Sequence, residues 1–199
     1  MKHLILGLLF AGLTHSANAQ INAKLMTYMD VSESQISFVY GGDIWLVDKV
    51  GGTAFQLTNS PGEESYPRFS PDGSHIAYSA NYHGNIDVYT IPVTGGIPKR
   101  VTHQSYSDRM IEWHPDGDHL LFASRRNLGQ RSSRQFFLVD KDGGMPELLP
   151  IPYGELASYS PDGSKLAYIT KITENYPFKR YKGGLASDIY IYDTRNQSV

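Results

Sequence analysis

The chain contains no cysteine in its 199 residues. That single absence excludes disulfides, thiolate metal sites and cysteine nucleophiles together. An excess of charge of one sign is lacking too: 18 Lys and Arg stand against 20 Asp and Glu, a formal net charge of −2. Nothing global therefore draws the chain to nucleic acid or to an anionic membrane surface. Beyond the first few residues no segment carries a convincing apolar period of 3.6, so helices are not expected. The one long apolar run, Leu4 to Leu13, is too short to span a bilayer.

That run reads instead as part of an export signal. Met1-Lys2-His3 supplies a positive start, and Ala17-Asn18-Ala19 supplies the small residues a signal peptidase needs before Gln20. Residues 1–19 are read as a cleaved signal peptide and residues 20–199 as the mature part. No cysteine follows the apolar run, which excludes lipoprotein processing. The expected address is the periplasm of a Gram-negative bacterium, or the exterior by full secretion, with no membrane span left after cleavage.

What the chain has in quantity is turn formers and aromatics: 19 Gly, 11 Pro, 14 Tyr and 8 Phe. They are organised by a motif. Phe69-Ser70-Pro71-Asp72-Gly73 precedes the alternating run Ile76-Ala77-Tyr78. The pattern returns as Trp113-His114-Pro115-Asp116-Gly117 and as Tyr159-Ser160-Pro161-Asp162-Gly163. Proline pre-sets the φ of a turn's first central residue and glycine accepts the positive φ that closes it, so each copy predicts a β-hairpin. Pro71, Pro115 and Pro161 are 44 and 46 residues apart. A second marker keeps step: Gly51-Gly52, Gly95-Gly96 and Gly143-Gly144. A period near 40–50 with several short strands per repeat is the signature of propeller blades.

The predicted fold is all-β: a β-propeller with four-stranded antiparallel blades at approximately 24–59, 64–103, 108–150 and 155–199. About four blades are present, and the last lacks a fourth strand, so an incomplete propeller of about six to seven blades is expected. The first repeat is fainter, with Ser32-Glu33-Ser34 where the others have Pro-Asp-Gly. Two stretches between second and third strands are long, and so lie at one face of the disc: Arg125 to Arg134, with four arginines and no acid, and Lys171 to Ser187. Long loops at one face of a rigid scaffold are where binding concentrates.

The repeated Phe-Ser-Pro-Asp-Gly pattern resembles the WD40-like (PD40) repeats of the Tol-system propeller protein, of prolyl-oligopeptidase-type propellers and of tricorn-type serine proteases. The stretch Pro177-Phe-Lys-Arg-Tyr-Lys-Gly-Gly184 leading to Ser187-Asp188-Ile189-Tyr190, the run Gly42-Asp43-Ile44-Trp45-Leu46-Val47, and a propeller starting directly after the signal are most similar to the tricorn group. The resemblance implies two successive propellers, a PDZ-like module and a serine-peptidase core in the parent protein. Peptides, the remaining blades and the C-terminal peptidase domains would then be the partners, and a homo-oligomer is open. It also implies that catalytic residues lie outside this chain, which would gate or orient peptides. Arg125 and Arg126 resemble a basic pair associated with the substrate's C-terminal carboxylate, with Arg131 in the same loop, and a guanidinium fork suits that task. The alternative is a non-catalytic interaction scaffold of the Tol-system kind.

The residues themselves offer little other chemistry. There is no Gly-x-Ser-x-Gly elbow. Asp72, Asp116 and Asp162, with Pro71, Gly73, Pro115, Gly117, Pro161 and Gly163, read as structural turns. His114 and His119 flank one turn without an evident third ligand, so no metal and no cofactor is expected.

Overall fold

The computed structural model describes residues 25–127, 133–171 and 188–199. Among these residues, fifteen strands form four antiparallel sheets in chain order. The first sheet holds β1 (Thr27–Val31), β2 (Gln35–Tyr40), β3 (Asp43–Asp48) and β4 (Phe55–Gln56). The second holds β5 (Glu64–Phe69), β6 (His75–Ala80), β7 (Asp87–Pro92) and β8 (Lys99–Arg100). The third holds β9 (Asp108–Trp113), β10 (His119–Ser124), β11 (Gln135–Asp140) and β12 (Glu147–Leu148). The fourth has three strands, β13 (Leu156–Tyr159), β14 (Lys165–Ile169) and β15 (Ile189–Asp193). The export signal, Arg131 and most of the second long loop fall outside the described residues.

Alternation explains how the sheets stack. In β10, Leu120 and Phe122 point to one side and join Ala77, Val88 and Val101 of the second sheet in one buried cluster. Leu121 and Ala123, one residue out of phase, point to the other side and meet Leu166, Tyr168 and Tyr192 of the fourth. The same holds one sheet earlier, where Ile76 and Tyr78 pack against Ile44 and Leu46 of the first. A central strand buried on both faces therefore reads as a nearly continuous apolar run, with period 2 deciding which neighbour each side chain serves.

The first strands of the blades, β1, β5, β9 and β13, lie side by side in that order. They are the inner strands, and the two-residue strands β4, β8 and β12 are the outermost. Side chains sew the inner strands together. Asp30 Oδ2 accepts the Phe69 N–H at 2.8 Å, Arg68 Nε donates to the Ile111 carbonyl at 2.9 Å, and Glu112 Oε2 accepts the Tyr159 N–H at 2.7 Å. The three donors or acceptors occupy the same place in successive blades, one residue before Val31 in the first and before the repeat's aromatics Phe69 and Trp113 in the next two.

At the corners the Pro-Asp-Gly turns take the form expected of them. Gly73 N–H donates to the Ser70 carbonyl at 2.8 Å, and Gly73 sits at φ +70°, a value an L side chain rarely adopts. Ser70 Oγ donates to Asp72 Oδ1 at 2.6 Å, and Asp72 accepts the Ser74 amide at 3.0 Å. Ser160 and Asp162 repeat this arrangement at 2.7 and 3.1 Å. These contacts hold both exposed carboxyls well down, to about 2, through the serine hydroxyl first and the turn amide after it.

Candidate functional site

The inner-strand starts and the described ends of the 125–134 loop, Arg125 to Asn127 and Ser133 to Arg134, meet at one face of the sheets. The inner strands of the second to fourth blades open near an acid: Glu64, Asp108 and, one residue before β13, Glu155, all three buried. Each acid has its own set of partners. Asp108, with no side-chain exposure, accepts Arg126 Nη2 on Oδ2 at 2.6 Å. Glu155 Oε2 accepts Arg109 Nη2 at 2.9 Å and Arg134 Nη1 at 2.8 Å. Glu64 has no cation among the described residues; it accepts the hydroxyls of Thr58 and Tyr82 and the Ile44 N–H at 3.1 Å. Burial pushes the Glu64 carboxyl up, against the lowering effect of those three donors.

The basic loop is therefore fixed at both roots. Arg126, at its start, pairs with the head of β9, and Arg134, at its end, pairs with the residue heading β13. Arg126 also lies over the rings of Phe122 and Phe137, 4.8 and 5.0 Å from their centroids, and donates from Nε to Ser124 Oγ at 3.2 Å. Arg125 beside it is half-buried. Of the arginines expected to bind a carboxylate, Arg125 and Arg126 thus stand at the anchored root, and Arg131 lies outside the described residues.

Two side chains face the same inner edge from strained backbone. Tyr28 and Tyr66 have φ of 51° and 54°, at irregularities in the pairing of β1 with β2 and of β5 with β6. A bulge re-aims a side chain by adding a residue to one strand. Here it brings the two rings to 4.3 Å between centroids, with the Arg109 guanidinium 5.3 Å from the Tyr66 ring. Asp30 and Glu112, further along the inner strands, are raised by burial, partly offset by the amides they accept.

Residues 23–199 match the family model of the tricorn protease N-terminal β-propeller domain. The chain belongs to that family. Among curated relatives it is 30% identical to Tricorn protease homolog 1 of Streptomyces coelicolor over 166 residues, 78% of this chain and 14% of that protein. It is 26% identical to a protein of Sulfurisphaera tokodaii named as a tricorn-like protease N-terminal subunit, covering 92% of this chain and 98% of that one. The crystal structure of the tricorn protease superposes with a TM-score of 0.73 at 23% identity, over 87% of this chain and 18% of that chain. TolB of Acinetobacter baumannii gives 0.63 at 24%, over 82% and 39%. At those identities the likeness shows the fold. The chain spans about a seventh of the length of the Streptomyces homologue.

Sequence reasoning singled out the loop arginines and missed Arg109, Asp108, Glu64 and Glu155. A signal was available: Glu64 and Asp108 are one blade period apart, and Glu155 follows 47 residues later. The corner of the third blade also holds more than expected. Asp116 Oδ2 lies 2.9 Å from His114 Nδ1 and 2.7 Å from His119 Nδ1, so the carboxylate read as a turn former joins the two imidazoles.

Proposed function

We propose that the chain is the exported propeller module of a tricorn-like serine peptidase, and that it gates or orients peptide substrates while the catalytic residues lie in other segments of the parent protein. The observation that carries this reading is the anchoring of the basic loop: Arg126 and Arg134 tie its two roots to the heads of consecutive inner strands. The two roots so held lie beside the starts of the inner strands, where a threading peptide would pass. Arg125, Arg126 and Arg131 would engage a free C-terminal carboxylate, Arg126 acting chiefly by holding the root and lending its charge. The apolar faces at the two ends of the arc, with Met29 and Val31 on β1 and Ile189 and Ile191 on β15 exposed, suit packing against further blades of the same protein.

The test uses the full-length protein and a pair of peptides, one with a free C-terminus and one amidated. Arg125→Ala with Arg131→Ala should shrink the preference for the free carboxylate by about tenfold or more, as charged hydrogen bonds are worth about 1.5–3 kcal/mol. An unchanged preference removes the proposal. A second reading, a non-catalytic scaffold, draws on Val50, Ile97 and Met145. These are apolar tips of the turns before β4, β8 and β12, each more than nine-tenths exposed, at 98%, 92% and 93%. It predicts a protein partner retained when those tips are intact and lost when they are made polar, with no peptidase activity in the full-length protein.

A further inference from the structure

The corner between β9 and β10 departs from the other two in a specific way. Where the second and fourth blades place Ser70 and Ser160, the third places His114, and where the fourth has Lys165 it has His119. The serines complete their turns by donating to Asp72 and Asp162. His114 and His119 instead aim their Nδ1 atoms at one carboxylate oxygen, Asp116 Oδ2, and the three donor atoms all lie within 4.8 Å of one another.

Hydrogen bonding alone does not settle His114. Its Nδ1 faces Asp116 Oδ2 at 2.9 Å, which calls for a proton on that nitrogen. The same atom receives the Asp116 backbone N–H at 3.3 Å, which calls for a lone pair. A cation bound by that nitrogen would take its one lone pair and bridge it to the carboxylate, in place of the long 3.3 Å amide contact. The ring is also oriented from outside the cluster. Tyr159 of the next blade meets it edge-on, with centroids 4.8 Å apart, and Gly163 leaves room for its far nitrogen. Asp116 Oδ1 accepts the Asp118 and His119 amides at 2.8 and 3.1 Å, which leaves Oδ2 turned to the imidazoles. Orientation of ligands by such surrounding contacts is characteristic of metal sites.

We propose that His114 Nδ1, His119 Nδ1 and the Asp116 carboxylate form a binding site for a borderline divalent cation of the zinc class at the corner of the third blade. Two imidazoles and a carboxylate are a donor set that zinc accepts, at about 2.0–2.2 Å for each bond, with water completing the tetrahedron. Bringing the atoms to those distances takes shifts of about 1 Å in side chains at the protein surface. The ion would clip the end of β9 to the start of β10. This site is independent of the peptide-gating proposal, since it lies at the corners and not at the basic loop.

The experiment is zinc titration of the metal-free full chain by calorimetry, followed by cobalt(II) absorption spectroscopy on the same protein. His114→Ser and His119→Lys copy the residues of neighbouring corners, so both variants keep turn chemistry the fold already uses, and melting curves check that they fold. His75→Lys, at the matching position of the second blade, is the control. The expected result is one zinc per chain, a tetrahedral cobalt spectrum, and a rise in melting temperature with zinc. Each site variant should bind at least about tenfold more weakly, with the control unchanged. Absence of saturable one-to-one binding overturns the proposal. So does binding that survives both site variants or is lost with His75→Lys.

Discussion

Replacing Arg126 by methionine would remove the cation that accompanies a fully buried carboxylate. Asp108 has no side-chain exposure and Arg126 only 11%, and their 2.6 Å contact lies inside the third blade. Asp108 Oδ1 is buried and makes no hydrogen bond among the described residues, so Oδ2 and its arginine carry the compensation. Solvent cannot take over the role of the lost partner. Deleting one member of such a pair costs about 3–5 kcal/mol, against about 0–1 kcal/mol for an exposed pair. Loss of the guanidinium from the Phe122 and Phe137 rings adds about 1 kcal/mol or more, offset in part by the methionine filling their groove. Asp108→Asn combined with Arg126→Met removes both charges, and the double variant should be far closer to wild type than Arg126→Met alone. Urea denaturation of the four proteins closes a cycle with an expected coupling of about 2–3 kcal/mol. A cost for Arg126→Met below about 1 kcal/mol, or a double variant equal to the sum of the singles, would refute the burial argument and with it the anchored loop root.

Other perturbations have equally definite outcomes. A Cβ on Gly154 would overlap the ring of Phe136, a fully buried side chain, so Gly154→Ala should cost about 1–3 kcal/mol in a denaturant melt, with part of the loss recovered by Phe136→Leu. Asp72 and Asp162 titrate near 2 in the folded chain, below the ordinary value of 3.8, so their contribution is present above that ordinary value and lost as pH falls toward 2. Wild type should therefore lose melting temperature relative to Asp72→Asn with Asp162→Asn between about pH 4 and 2, by a small amount because both groups are exposed to solvent screening. Glu112 has the opposite sign. Burial raises its carboxyl, so the stabilising protonated form is lost as pH rises through its folded value, and Glu112→Gln should compare better with wild type at pH 7 than at pH 4. A pH-independent difference in melting temperature would count against that burial.

Much of this architecture is written in short-range chemistry. Pro71, Pro115 and Pro161 with their Asp-Gly partners mark the corners because a turn needs fixed φ, a local acceptor and a positive-φ residue in that order, and only a few residue types provide them. His75–Ala80, His119–Ser124 and Gln135–Asp140 are legible to the residue, since alternation ends where the corner or loop begins. The edges are less so. β1 begins at Thr27, inside the expected bound of 24 for the first blade, because its pairing with β2 starts there, and β4, β8 and β12 are two residues long, having a partner on one side only. What the sequence hides is long-range. The bulges that turn Tyr28 and Tyr66 toward each other leave no local mark. Asp108 finds Arg126 only once two strands have paired, and Glu155 finds Arg109 across a blade junction. Asp116 looked like one more turn carboxylate until the hairpin brought His114 and His119 to the same oxygen.

Blade-on-blade stacking about shared inner strands is the claim on which all of this depends, and amide hydrogen exchange at Phe69 and Tyr159 tests it most directly. Both N–H groups point out of their own sheet and are bonded across a junction, to Asp30 at 2.8 Å and to Glu112 at 2.7 Å. Stacked blades predict slow exchange at both, with Asp30→Ala exposing Phe69 alone and Glu112→Ala exposing Tyr159 alone. Rapid exchange of both amides in the folded wild-type chain would contradict the stacking.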